Sequence, residues 1–334
     1  MLRYAFWLVL AMTIAGCSKT SNPSQSGPNS DNQSPTPETE EKAVKLVEEF
    51  GGTISRDSTQ PGSPVIAVTL ENNKVLNRHI NELTAFKQLT RLTLKKTQIT
   101  ASGLKELSAF KNLKTLQIAD TMIREPELKE IGALTGLTSL SLWFTMTTDP
   151  GMEEIARLTG LTELKIVGCA ITDASLRHVT PLTNLTWLEM GANKITNAGI
   201  KDLGTLVNVT RLDLSAQPIT DVAIKDLAAL RSLTWLNLYG TKVTNEGMKD
   251  LAALSTLTFV SVGYTSVSDL GVQELARMKN LIGLDLELTQ ATDASVKPLA
   301  AAQNLTEINL RGAKVSASGV KELEAALPKC KILK

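Results

Sequence analysis

The most constraining feature of this sequence is a pattern of apolar residues that returns every 24 positions from Val65 onward, without an insertion. A fixed period of this length is typical of a solenoid, in which each unit buries its apolar side chains only against its neighbours. One array therefore accounts for most of the chain. The eleven units begin at Val65, Leu89, Leu113, Leu137, Leu161, Leu185, Val209, Leu233, Leu257, Leu281 and Leu305.

Each unit carries two kinds of periodicity. Positions 4 and 6 are apolar, as at Leu92 and Leu94, and alternation with a period of two predicts a strand. Position 9 is usually small and polar, and such a side chain can hydrogen-bond the backbone as it turns away from the strand. Apolar residues at positions 16, 19 and 22, such as Leu104, Leu107 and Phe110, predict a short helix with one buried face.

The start of each helix also has a sequence pattern. Position 13 is usually Asp or Asn, and Pro126 and Pro150 occupy position 14. Because an N-cap residue followed by proline favours a helix start, the position-13 residues are predicted to be N-caps. Pro181 and Pro298 fall later in the helical stretch and predict shortened or 3₁₀ turns there. The position-13 residues are Asp149, Asp173, Asn197, Asp221, Asn245, Asp269 and Asp293.

The repeated LxxLxL pattern, seen at Leu89, Leu92 and Leu94, resembles the leucine-rich-repeat family. The I-T-D-x-x-L segment, as in residues 171–176, resembles its ribonuclease-inhibitor-like and cysteine-containing subclasses. Thr at position 9 departs from the Asn or Cys that is usual there. The resemblance covers residues 65–328 and implies an α/β solenoid with a parallel β-sheet on the concave face and short helices on the convex face.

The N-terminal segment has the features of an export signal. Arg3 precedes an apolar run that is too short to cross a bilayer of about 30 Å, so residues 1–16 are predicted to be a signal peptide. The sequence IAGC at residues 14–17 resembles the lipobox of bacterial lipoproteins, which implies a lipid on Cys17. An ordinary signal peptide with an incidental cysteine is the alternative. Ser18, where Asp would signal inner-membrane retention, favours the outer membrane of the cell envelope.

Composition sets the remaining boundaries. Residues 18–40 carry no large apolar side chain other than proline, so 17–40 is predicted to be the lipidated cysteine and a disordered tether. Residues 41–64 are predicted to be an N-terminal cap that begins with an amphipathic helix. The repeats follow at 65–328, and 329–334 is predicted to be a partial strand that covers the last unit.

Charge and residue spacing argue against several functions. The chain has 35 Lys and Arg against 34 Asp and Glu, so no net field attracts nucleic acid, and membrane contact is expected through the N-terminal lipid only. His79 and His178 are more than four units apart, and Cys169 and Cys330 are nearly seven, so neither pair meets in a solenoid. No catalytic residue, metal site or cofactor is predicted, and the chain is interpreted as non-enzymatic.

The aromatic residues carry the functional information. The chain has four Trp, three Tyr and six Phe, and seven of these residues fall at positions 3, 7 or 8 of the units. If positions 4 and 6 point inward, positions 3, 5 and 7 point outward onto the concave face, with position 8 at its edge. Arg211, between Trp187 and Trp235 at position 3, is predicted to lie between the two rings, an arrangement that permits cation–π stacking. The candidate binding residues are Trp143, Phe144, Trp187, Arg211, Trp235, Tyr239, Phe259 and Tyr264.

This patch predicts a module that binds a protein or peptide. Carbohydrate or cell-wall binding is the alternative function, since aromatic faces also stack on sugar rings. The rings could instead pack on one another and only shield the sheet. Charged residues toward the two ends of the face, such as Arg91 and Glu307, either orient a partner or are ordinary solvated side chains.

Overall fold

The computed structural model describes residues 37–334 of the chain. The predicted signal peptide, the lipidated Cys17 and residues 18–36 of the predicted tether lie outside the described residues. Among residues 37–334, no helix combines the length and the apolar composition that crossing a bilayer requires.

Strands and short helices alternate along the described chain. The strands are β1 (Thr53–Arg56), β2 (Val65–Glu71), β3 (Arg91–Lys95), β4 (Thr115–Ala119), β5 (Ser139–Trp143), β6 (Glu163–Val167), β7 (Trp187–Glu189), β8 (Arg211–Asp213), β9 (Trp235–Asn237), β10 (Phe259–Ser261), β11 (Gly283–Asp285), β12 (Glu307–Asn309) and β13 (Lys331–Leu333). The α-helices are α1 (Pro37–Glu49), α2 (Asn77–Leu83), α3 (Ala101–Lys105), α4 (Glu125–Gly132), α5 (Asp149–Ile155), α6 (Leu176–Val179), α7 (Asn197–Ile200), α8 (Asp221–Ile224), α9 (Asn245–Ala252), α10 (Asp269–Leu275), α11 (Val296–Ala301) and α12 (Ala317–Ala326). Five 3₁₀ segments span Glu106–Ala109, Asp173–Ser175, Lys201–Thr205, Asp226–Ala229 and Asp293–Ser295.

The strands form one sheet in which they follow one another in sequence order. β1 pairs antiparallel with β2, and each later pair of neighbours is parallel. Each step advances the register by 24 residues, so Leu92 lies opposite Leu116 and Leu116 opposite Leu140. This arrangement confirms the predicted α/β leucine-rich-repeat solenoid and places equivalent residues of successive units side by side.

A continuous apolar core lies between the sheet and the helices. In β8 and the residue after it, Leu212 and Leu214 are fully buried, and Leu227 of the same unit is 1% exposed. Each such side chain contributes about 1.5 to 3 kcal/mol through removal of its surface from water. The short helices and 3₁₀ turns predicted in the two units that contain these prolines are confirmed. In the first unit a 3₁₀ segment precedes α6, which ends before Pro181. In the second a 3₁₀ segment precedes α11, and Pro298 lies in the first turn of that helix.

The helix starts differ from the prediction. The N-cap residue is at position 12 and is usually Thr or Ser, as at Thr220, whose backbone is extended, and Asp221 is already the first helical residue. The prediction that the position-13 residues are N-caps is therefore wrong. Thr and Ser at position 12 are good N-caps, as are Asp and Asn at position 13. The side chain at position 13 instead forms hydrogen bonds with the next unit.

That contact forms a side-chain ladder along the edge of the solenoid. Asp221 accepts hydrogen bonds from the backbone N–H of Thr244 at 2.7 Å and from its hydroxyl at 2.8 Å. Where position 13 is Asn, as at Asn197, the backbone bond remains and the amide donates to the Thr220 hydroxyl. The backbone bond is 2.7 to 2.9 Å at seven consecutive interfaces, whose acceptors are Asp149, Asp173, Asn197, Asp221, Asn245, Asp269 and Asp293.

Position 9 behaves as predicted. The hydroxyl of Thr241 donates to the carbonyl of Leu238 at 2.7 Å, and the hydroxyl of Thr289 makes the same bond to Leu286. These bonds satisfy carbonyl groups that the tight turn after the strand leaves inside the protein. In these units the turn is therefore held by the side chain that the repeat supplies at position 9.

The N-terminal cap begins earlier than predicted. Helix α1 starts at Pro37, so the prediction that the tether extends to Glu40 is wrong for residues 37–40. Proline is favourable in a first helical turn, and the carboxylates of Glu38 and Glu40 interact well with the positive end of the helix dipole. Glu40 also forms an ion pair with Arg56 of β1 at 3.0 Å, which joins this first turn to the sheet.

The cap meets the first repeat at a buried histidine. The ring of His79 lies 4.7 Å from the ring of Phe50, and its Nδ1 accepts the backbone N–H of Leu76 at 3.1 Å. Burial and the nearby Arg78 lower the pKa of His79, which outweighs the opposite effect of neighbouring glutamates. The neutral ring is therefore the form that fits this junction.

Candidate binding site on the outer face of the sheet

Burial along each strand separates two faces of the sheet. In β3 the side chains of Leu92 and Leu94 are buried, while Arg91, Thr93 and Lys95 are partly or fully exposed. Positions 4 and 6 therefore face the core, and positions 3, 5 and 7 form what we call the outer face of the sheet. The side chains on this outer face are not needed to fill the core.

Register brings four of the candidate residues together at position 3. Trp187 of β7 lies opposite Arg211 of β8, Arg211 opposite Trp235 of β9, and Trp235 opposite Phe259 of β10. Equivalent residues on adjacent strands are about 4.8 Å apart, so these four side chains form one continuous row.

The other four candidate residues lie at positions 7 and 8. Tyr239 and Tyr264 follow β9 and β10 and are close to the row. Trp143 and Phe144 are at the end of β5, separated from the row by β6. The structure therefore places six of the eight candidates on, or just after, the four adjacent strands β7 to β10. The other two, Trp143 and Phe144, lie at the end of β5.

Two cations flank the ring of Trp187. The Nζ of Lys165 lies 3.3 Å from the ring centroid, and the guanidinium carbon of Arg211 lies 4.9 Å from it. Each contact of this kind contributes about 0.5 to 1 kcal/mol at an exposed site. Sequence reasoning identified Arg211 but missed Lys165, which occupies position 5 of β6 and looks like an ordinary solvated lysine when read alone.

Arg211 lies between the two tryptophans in register, as predicted, and its cation–π contact is with Trp187. Trp235 stacks instead on Phe259, with 5.3 Å between ring centroids and 8° between planes. The cause is Gly283, the position-3 residue of the next strand, since a Cβ there would lie only 2.6 Å from the ring of Phe259. The absence of a side chain lets Phe259 lean over β11, and Trp235 follows it.

A second ring pair lies at the ends of β9 and β10. Tyr239 and Tyr264 stack with 6.0 Å between centroids and 11° between planes. Here too a glycine leaves the space, because a Cβ at Gly263 would lie 2.7 Å from the ring of Tyr239. The sequence contains this signal, a glycine one period after an aromatic residue, and it also occurs at Phe144 and Gly168.

Phe144 and Tyr264 combine high exposure with an unfavourable backbone. Their side chains are 55% and 60% exposed, and their φ angles are +50° and +53°. A left-handed conformation costs a residue with a side chain about 1 to 2 kcal/mol, and glycine fills the same position at Gly168 and Gly240. Neither the core nor the turn explains these two rings.

Two carboxylates of the outer face lie next to the row, at position 5 of β7 and β8. Glu189 is 4% exposed, and its nearest cation is the Nζ of Lys165 at 3.6 Å. Asp213, its neighbour in register, accepts the backbone N–H of Ser215 at 2.7 Å and the amide of Asn237 at 3.0 Å. Burial raises the pKa of both carboxyl groups, and the attraction of Lys165 offsets only part of the effect on Glu189.

Sequence reasoning missed these carboxylates, because nothing in the residue type distinguishes a buried acid from the solvated acids elsewhere on this face. Ionisable groups with perturbed pKa values beside a binding surface are a common feature of functional sites.

Charges toward the ends of the outer face are mostly engaged within the protein. Glu71 pairs with Lys95 at 3.1 Å and with Lys96 at 2.8 Å. At the other end, Glu307 pairs with Lys331 at 3.4 Å. These groups favour the interpretation of solvated, self-paired side chains over that of charges reserved for a partner.

The functional groups on this face are mainly aromatic and charged. Within residues 37–334, no group of three or more His, Cys, Asp and Glu side chains is arranged to hold a metal ion. Cys169 lies under the turn after β6, where burial raises the pKa of its thiol. The outer face thus presents ring surfaces, a guanidinium and carboxylates.

Comparisons with known proteins bear on the fold. Neither a family model nor a curated protein matches the sequence. The crystal structure of an internalin, InlF, from Listeria monocytogenes aligns with a TM-score of 0.58 at 20% identity, covering 88% of this chain and 94% of that one. A second Listeria monocytogenes internalin, C2, aligns at 30% identity with a TM-score of 0.46, covering 63% of this chain and 84% of that one. The similarity to InlF shows a shared leucine-rich-repeat fold.

Proposed function

We propose that this chain is a non-enzymatic binding module of the bacterial cell envelope that recognises a protein or peptide through the aromatic outer face. The observation that carries the proposal is the position of the rings. Seven aromatic side chains occupy outward or edge positions that the repeat fills elsewhere mostly with small or polar residues. Two of them, Phe144 and Tyr264, occupy a left-handed backbone position that favours glycine.

The composition of the row supports a protein ligand. Trp, Tyr and Arg are the residues that most often dominate the energy of protein interfaces, and they do so when they are held in place before binding. Stacking holds Trp235 against Phe259, and the ring of Trp187 holds Arg211. Such a surface loses little conformational entropy when a partner docks.

The anchor is a separate part of the proposal. The lipobox-like sequence before Cys17 supports lipidation of that residue and attachment to the outer membrane. Metabolic labelling with a palmitate analogue tests it, since label should enter the wild-type protein and should not enter a Cys17→Ala variant. Equal labelling of both proteins would contradict the anchor without touching the binding site.

Glycan binding is the second candidate function. The exposed faces of Phe144 and Tyr264 favour it, because aromatic faces also stack on sugar rings. Both rings lie at the edge of the sheet rather than in the row, so the two candidate functions depend on different residues. A glycan ligand should depend on the edge rings more than on Arg211.

Affinity capture from bacterial envelope extracts tests the proposal. The full-length protein in detergent serves as bait beside a Trp187→Ala, Trp235→Ala variant, and Arg91→Ala is the matched control at position 3 of a strand without rings. We expect wild type and control to retain the same protein in equal amounts. The double variant should retain at least tenfold less of it. Equal retention by the double variant would contradict the site. Co-sedimentation with peptidoglycan, lost in a Phe144→Ala, Tyr264→Ala variant, would favour the glycan function.

A further inference from the structure

The guanidinium of Arg211 is the cationic group of the row that its own protein leaves open. The side chain is exposed and lies against the ring of Trp187. Within residues 37–334 it makes no side-chain hydrogen bond and no ion pair. A guanidinium presents its donors in a planar fork that matches a carboxylate, so a group held on an aromatic ring in this way is prepared for two parallel hydrogen bonds.

The acidic neighbours of Arg211 are already engaged. Both oxygens of Asp213 accept hydrogen bonds, from Ser215 and from Asn237. Glu189 faces Lys165, and Glu163 accepts the hydroxyl of Ser139 at 3.0 Å. None of these three carboxylates uses the Arg211 donors.

The immediate charges around Arg211 come close to balance. Lys165 and Arg211 stand against Glu163, Glu189 and Asp213, and burial disfavours the charged forms of the last two acids. Because there is no large local field of either sign, the unfilled hydrogen-bond donors of Arg211 determine which ligand group fits.

An apolar shelf lies on the side of β8 that faces away from Trp187. The shelf consists of the stacked rings of Trp235 and Phe259, on β9 and β10. Strands β9 and β10 lie about 5 and 10 Å from β8, and the lean of Phe259 toward β11 places the shelf toward the far end of that range. Side chains on one side of an extended peptide are about 6.6 Å apart at every second residue, so residues two or four apart reach from Arg211 to the shelf.

Building on the proposed function, we propose that the row binds an extended segment of a partner protein that carries Asp or Glu and, two or four residues away, an aromatic or large aliphatic side chain. The carboxylate forms a two-pronged hydrogen bond with Arg211, and the apolar side chain lies on the Trp235 and Phe259 shelf. The segment crosses the strands of the sheet. Trp187 is a positioning residue that holds the guanidinium.

Synthetic peptides on an array test this inference with the full-length protein. Nonapeptides of alanine and serine carry Asp, Asn or Lys at one position and Phe or Ser two or four residues away, in both orders. We expect the Asp and Phe peptide to bind at least tenfold more protein than the Asn and Phe peptide, and more than the Asp and Ser peptide. Equal binding of the Asn peptide, stronger binding of the Lys peptide, or no binding of the Asp and Phe peptide would overturn the inference.

Variants assign the preference to the residue. Arg211→Gln should remove the difference between the Asp and Asn peptides, and Arg211→Lys should keep only part of it, since an ammonium group keeps the charge but lacks the fork. Arg91→Gln, at the same position on β3, is the matched control and should leave the difference intact. A preference for Asp that survives in Arg211→Gln would overturn the assignment.

The two proposals fail in distinguishable ways. If the double tryptophan variant loses the partner captured from envelope extracts but the array shows no preference for Asp, the binding function stands and the ligand chemistry is wrong. If the double variant keeps that partner and its array pattern is unchanged, both are wrong.

Discussion

The side-chain ladder at the helix starts and the aromatic row on the outer face are both built from equivalent positions of successive units, yet they follow opposite rules. In the ladder each unit carries the same kind of residue, and Asp221 and Thr244 satisfy each other as their counterparts do at six other interfaces. In the row the residue type changes at each step, from Trp187 through Arg211 to Trp235.

We expect this difference to separate residues that stabilise the fold from residues that bind a partner. A residue that recurs at one position solves a problem that each unit shares, such as the backbone groups left open where a helix begins. A residue that breaks the pattern without filling the core, such as Trp187 or Tyr264, solves no such problem. The comparison leads us to expect that ladder variants unfold the protein and that row variants leave it folded but unable to bind.

The largest effect on stability is expected at the ladder. Asp221→Ala removes the acceptor for two groups of Thr244 and leaves a partly buried N–H without its partner, so the free energy of unfolding should fall by about 2 to 3 kcal/mol. Urea denaturation followed by circular dichroism measures it. Asp221→Asn is the control, because Asn fills this position at Asn197 and Asn245, and it should retain most of the stability. Equal losses in both variants would break the comparison.

Acidification should affect the two regions with opposite sign. Burial would raise the pKa of Asp269, but hydrogen bonds from Ser295 and Thr292 outweigh it and lower that pKa below 3.8. Its stabilising contribution is therefore complete above pH 3.8 and is lost as the pH falls through the lowered value. Glu189 has a pKa raised above 4.5, so its ionised form opposes folding at neutral pH, and protonation relieves this as the pH falls through the raised value.

Urea midpoints measured from pH 7 to pH 3 test this contrast. Glu189→Gln should be at least as stable as wild type at pH 7, and the difference should vanish as the pH falls below 4.5. Below pH 3.8 the urea midpoint of Asp269→Asn should fall less with decreasing pH than that of wild type, because the variant has no carboxyl group to protonate at this position. A Glu189→Gln variant that is much less stable than wild type at neutral pH would place Glu189 with the ladder residues.

The smallest effect on stability is expected at the edge rings. Tyr264→Gly relieves a left-handed backbone and loses the stacking on Tyr239, and these two effects offset each other. The free energy of unfolding should therefore change by no more than about 1 kcal/mol. Calorimetry measures the change, and Gly240→Ala is the converse control, since it places a side chain in the same left-handed position and should destabilise. A large loss in Tyr264→Gly would mean that this ring is structural.

The repeat made the fold predictable, because a period of 24 residues assigns a direction to each side chain. It also made the outer positions of Trp187 and Arg211 predictable from strand alternation alone. The helix cap was not predictable, since Thr220 and Asp221 are both suitable N-caps. Their roles differ because Asp221 lies within hydrogen-bond distance of Thr244 in the next unit, which the sequence does not reveal. The role of Lys165 depends on its contact with a ring one strand away, which its residue type does not reveal.

The ring pairs lie between these cases. The stacking of Trp235 on Phe259 rather than on Arg211 follows from the missing side chain at Gly283. That glycine is visible in the sequence, one period after the phenylalanine. Its effect on ring orientation needs the register of the strands, which the repeat supplies, and the side-chain geometry, which it does not.

The measurement that tests the central claim most directly compares stability and binding in the same two variants. We predict that Trp187→Ala, Trp235→Ala unfolds cooperatively with a midpoint close to wild type and loses at least tenfold in affinity for the captured partner. Asp221→Ala should show the reverse, with a lower urea midpoint and unchanged affinity at temperatures where it is folded. A folded double tryptophan variant with wild-type affinity would contradict the claim that the residues that break the repeat carry recognition.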